Sequence, residues 1–120
     1  MFERICWGIL GLIHAVPALA AVRPDLLTRL YGVARTEGTF VLLQHRAALF
    51  GVVVIVCAWA AVQPAVRPLA SVAVAVSMLS FLLLYYGAGQ PPALRTIAIA
   101  DGAGLLPLAF VAWRAFAPGR

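Results

Sequence analysis

Apolar residues fill this chain in four long runs, and the polar residues fall mostly between them. Spans are expected at 5–22, 40–62, 69–86 and 94–113, each near the length an α-helix needs to cross the hydrocarbon core. Gln63-Pro64 closes the second run and Arg67-Pro68 opens the third, with proline near a helix start, where its missing N–H costs nothing. Gly87 to Pro92 is a turn by composition. The one longer polar link, Arg23 to Gly38, holds a short segment at 25–31. Asp25 suits its start and Gly32 its end. Its leucines are expected to lie on the membrane surface, and Thr36 or Thr39 to cap the helix that follows. The reading is an all-α polytopic membrane protein, an up-down-up-down four-helix transmembrane bundle forming one domain over 1–120.

The aromatic residues agree with four crossings. Alternating directions bring Trp7, Trp59 and Trp113 near one face (side A) and Tyr31, Tyr85 and Tyr86 near the other (side B), as amphipathic rings at two interfaces should fall. Both termini are then on side A. The eight arginines at segment ends divide evenly, with Arg4, Arg67, Arg114 and Arg120 on side A and Arg23, Arg29, Arg35 and Arg95 on side B. The positive-inside rule therefore does not set the orientation; side A is taken as cytoplasmic.

Polar residues inside the spans break the pattern. Gln44-His45-Arg46 sits near the front of the second run, where hydrogen-bonding and charged groups need partners. Counted from side B, His14 lies eight residues in, His45 five, Arg46 six, Ser80 six and Asp101 seven. At a rise of 1.5 Å per residue these depths agree to about 5 Å. The expected cluster is His14, Gln44, His45, Arg46, Ser80 and Asp101, with Arg46 facing Asp101 inside the bundle. That pair is either a structural tie or a functional site. Gly8, Gly11, Ala15 and Ala18 form a small-residue stripe suited to close helix approach. Gly102 and Gly104 suit close packing too. Glu3, Asp25 and Glu37 lie outside the runs and are expected to be solvated.

Composition then fixes the solvent. The 120 residues are 64% hydrophobic and 11% charged, more apolar surface than a soluble domain of this size can bury. The net charge of +5 comes from nine arginines, all but Arg46 scattered at segment ends. No basic patch forms, so lipid headgroups rather than nucleic acid are the expected contact. Cys6 and Cys57 lie within apolar runs and read as small hydrophobes. Phe2-Glu3-Arg4 and the Ala18-Leu19-Ala20 pattern resemble a cleavable leader, but the apolar run is as long as a span and is expected to be retained. HExxH, GxSxG, phosphate-loop and cysteine-rich metal patterns do not occur.

The run Leu43-Gln44-His45-Arg46-Ala47-Ala48-Leu49-Phe50-Gly51, following Tyr31-Gly32-Val33, resembles small bacterial four-helix membrane proteins of the DoxX-like group. Those chains carry a Tyr-Gly element after the first helix, then a polar-plus-Arg start of the second. The resemblance implies the fold and a bacterial inner-membrane setting more than an activity, since the group includes quinone-linked oxidoreductase subunits.

Three functions follow as expectations. The first is a non-enzymatic protein binding a lipophilic small molecule, or an accessory subunit of a homo-oligomer or larger membrane complex. The second is a subunit acting on a quinone- or lipid-like substrate, with His45 or His14 moving protons, Asp101 orienting or balancing charge and Arg46 holding an oxygen. The third is a haem held between His14 and His45. No cofactor is required by the sequence.

Overall fold

The structure is a computed structural model that describes residues 1–23, 25–32, 34 and 38–118, with the side chains at 30 and 31 outside that set. Among these residues five α-helices follow in order: α1 (Phe2–Ala18), α2 (Asp25–Tyr31), α3 (Gly38–Val62), α4 (Arg67–Gly87) and α5 (Arg95–Phe116). Short 3₁₀ turns at Leu19–Ala21, Pro64–Val66 and Pro92–Leu94 prolong α1 and lead into α4 and α5. With these turns, four segments are long and apolar enough to cross a membrane: Phe2–Ala21, Gly38–Val62, Pro64–Gly87 and Pro92–Phe116. The chain is thus an all-α four-helix bundle of membrane-spanning type, within a few residues of the expected spans. The expected Thr36 cap, the Tyr31 ring and the charges at Arg35, Glu37 and Arg120 lie outside the described residues.

The outer faces remain apolar. Leu12, Leu42, Ile55, Leu69, Leu83 and Leu106 are all exposed, a surface that water does not tolerate over such an area and lipid does. The α4–α5 reversal uses a left-handed residue, Gly89 at φ +84, and Gln90 N–H donates to the Tyr85 carbonyl at 3.0 Å. This satisfies a carbonyl that the helix end leaves without a partner.

The four spans form a ring. α1 packs between α3 and α5, α5 packs on α4, and the contact of α3 with α4 is slight. The main core occupies the side A half: Trp7 and Leu10 of α1, Cys57 and Ala60 of α3, Val74 and Met78 of α4. Trp7 is fully buried, so it belongs to this core and not to the interface. Trp59 and Trp113 are exposed, as an interfacial girdle requires. Of the small-residue stripe, Gly11 lies against α3, with a Cβ at that position 3.4 Å from the Cβ of Cys57, whereas Gly8 has open space around it. Gly104 is tighter: a Cβ there would stand 2.6 Å from Met78 Cε and 2.8 Å from Ile13 Cδ1. Gly102 has nothing within 4 Å. A smaller cluster of Ala20, Leu27, Phe40 and Ala47 closes side B beside α2. Leu27 is fully buried there, so α2 plugs the bundle with that residue instead of resting it on the membrane surface.

One expectation is overturned at side A. Glu3 is not solvated. It accepts from Arg67 Nη1 at 2.8 Å and from Arg114 Nε at 3.1 Å, while Arg67 Nε donates to the Ala60 carbonyl at 2.8 Å. The Glu3 and Arg67 side chains are 13% and 9% exposed. This cluster joins the starts of α1 and α4 to the end of α5 and the last turn of α3.

Candidate intramembrane binding site

The weak contact between α3 and α4 leaves a cleft of about 450 Å³ in the side B half. Its walls include Arg46 and Phe50 of α3 and Ser77, Phe81 and Tyr85 of α4. Arg46 and Phe50 are one turn apart and share a helix face. The Arg46 guanidinium carbon lies 4.9 Å from the Phe50 ring centroid and 5.6 Å from that of Phe81. The two rings thus hold a cation by their π faces. Arg46 stands eight residues inside the start of α3, about 12 Å along the axis. The cleft is mostly apolar, with its charge on one wall.

A second cavity of about 350 Å³ lies between α1 and α5. Ile13, His14 and Pro17 line it from α1, Phe50 from α3, and Thr96 and Asp101 from α5. His14 is fully buried. Its Nδ1 is 2.8 Å from the Leu10 carbonyl, which is only an acceptor, so Nδ1 carries the proton. Nε2 is then left as the acceptor, facing Ser77 Oγ at 3.5 Å. Asp101 is 8% exposed and makes no hydrogen bond or ion pair among the described residues.

The polar residues at shared depth are therefore distributed around the ring. Arg46 and Ser80 border the α3–α4 cleft, and His14 and Asp101 border the α1–α5 cavity. Phe50 lines both. Arg46 lies within Coulombic range of Asp101 but forms no ion pair with it. Gln44 Nε2 donates to the Ala21 carbonyl at 3.2 Å and ties α3 to the end of α1. His45 is exposed and lines neither cavity. Neither of these two cavities is lined by both His14 and His45. The Ser80 hydroxyl donates to the Ser77 carbonyl at 3.3 Å, a bond within its own helix.

Residue type alone did not single out Ser77, Phe50 or Phe81. Ser77 bridges the cleft to His14, and the two phenylalanines shape the site. The signal for Phe50 was its spacing from Arg46. For Glu3 the signal was the pairing of one acid with two arginines at the same bundle end. Among the described residues no group of three His, Cys, Asp or Glu side chains could hold a metal ion.

No protein-family model, curated protein or solved structure matches the chain. Fold and surface define a class, an integral membrane four-helix bundle.

Proposed function

We propose that the protein is a non-enzymatic membrane binder of an amphipathic molecule whose anionic or carbonyl head meets Arg46 and whose apolar body lies between α3 and α4. The observation that carries this reading is the placement of the Arg46 guanidinium on the wall of an apolar cleft, against Phe50 and Phe81. Charged residues at this depth in a membrane commonly mark a site. Leu49 and Leu84, also in the wall, are exposed on the lipid side, so a ligand longer than the cleft extends into the bilayer. The DoxX-like resemblance, an inner-membrane setting and association with a larger complex belong to the same proposal.

A second reading, a subunit acting on a quinone-like substrate, has one observation in its favour. Ser77 lines the cleft and meets His14 Nε2, which gives a bound carbonyl oxygen a route to a titratable imidazole. His45, exposed and outside the cleft, has no part in it.

Native mass spectrometry of protein purified in mild detergent tests the proposal. Wild type is expected to retain a small amphiphile that Arg46→Gln, folded by circular dichroism, has lost. Equal retention by both proteins, or none by either, would sink the idea. Identification of the retained molecule as a quinone, reduced on adding electrons, would move the second reading ahead.

A further inference from the structure

The α1–α5 cavity carries a different chemistry from the cleft. We propose that it is a second binding site, selective for a compact lipophilic amine whose ammonium group pairs with Asp101. The geometry is that of a half-finished ion pair. Asp101 is more than nine-tenths buried, lines an apolar cavity and has no hydrogen-bond donor or cation in contact among the described residues. A carboxyl in such a place stays charged only with the help of a partner of opposite charge. Arg46 acts on it only across a distance, from the cleft that shares the Phe50 wall.

The rest of the lining favours a donor too. Pro17 has no N–H to give to the carbonyl of Ile13 four residues earlier, and both residues line the cavity. His14 contributes no donor, because its one N–H is spent on Leu10 and Nε2 faces Ser77. Phe50, whose ring already takes the Arg46 guanidinium, adds apolar wall, and the Thr96 hydroxyl accepts or donates. A bare metal ion fits badly, since one carboxylate in an apolar chamber supplies far fewer oxygens than hard cations require. An organic cation matches both parts of the wall. Leu12 and Val16, exposed toward lipid at the cavity edge, let it enter from the bilayer. Arg46 opposes any cation here, but from farther away than Asp101 attracts it, and Coulomb energy falls with distance.

The test uses amantadine, an apolar cage with one ammonium group, against adamantanol and adamantane carboxylate, which share its cage. Binding to the full chain in nanodiscs is measured by isothermal titration. Amantadine is expected to bind saturably, at least about tenfold tighter than the alcohol, because only the amine completes a buried ion pair. Asp101→Asn is expected to abolish that preference, and Arg46→Gln to leave it intact or enlarge it. Equal binding of amine and alcohol by wild type overturns the proposal, as does saturable binding with the preference unchanged in Asp101→Asn. Should Asp101→Asn fail to fold, the ranking of the three cage compounds by wild type decides alone. Failure of this test leaves the Arg46 cleft untouched, since that reading rests on retention of an amphiphile lost in Arg46→Gln.

Discussion

Glu3 and Arg67 form a 2.8 Å salt bridge between the start of α1 and the start of α4, with Arg114 of α5 on the other carboxylate oxygen. Removing one member of a nearly buried pair leaves the other charge without compensation. Glu3→Gln is expected to lower the unfolding free energy by about 3 kcal/mol, read as a lower midpoint in a detergent denaturation series. Combined with Arg67→Met it should cost less than the sum of the two single changes. Strict additivity would show that the pair is not coupled.

Among the described glycines, Gly104 leaves the least room for a Cβ. The atoms that a Cβ would meet, Met78 Cε and Ile13 Cδ1, are the far ends of flexible side chains. Gly104→Ala should therefore be absorbed for about 1 kcal/mol, whereas Gly104→Leu should cost about 3 kcal/mol by overpacking. Thermal unfolding followed by circular dichroism measures both. A leucine variant as stable as wild type would mean that the helices separate without penalty.

Phe81 holds one side of the Arg46 guanidinium. Phe81→Leu keeps an apolar side chain but removes the π face, and is expected to cost about 1 kcal/mol of stability. Phe81→Tyr preserves the face and should cost less. Thermal midpoints of the two variants, compared in one detergent, check the order.

His14 should exist as the Nδ1–H tautomer, since Leu10 offers its ring only an acceptor. Nitrogen-15 NMR of histidine-labelled protein distinguishes a protonated Nδ1 from a protonated Nε2. Observation of the Nε2–H form would contradict the 2.8 Å bond. His14→Ala, at a fully buried position, should lower stability by about 2 kcal/mol through the cavity left behind.

The spans were legible because lipid imposes one strong rule, an apolar helix of fixed minimum length. Depth was legible too, since rise per residue is constant. Direction around each helix was not. His45 and Arg46 share a depth, yet the step of about 100° between them puts Arg46 in the cleft and His45 outside it. Trp7 carried the composition of an interface residue, but α1 is held between α3 and α5, and the indole lies in the core. Glu3 looked like a solvated terminal acid because its partners are remote in sequence. No local pattern announces a partner that the third and fourth spans supply.

That remoteness bears on how the molecule is made. The first partner of Glu3 lies 64 residues ahead and the second 111 residues ahead. During synthesis, α1 and α3 are free to pair as soon as both have left the ribosome, while the acid at residue 3 waits for the third and fourth spans. The clamp therefore closes late, and its closure records that all four helices have arrived. A nascent chain arrested before Arg67 lacks both arginines that the finished bundle sets on the Glu3 carboxylate.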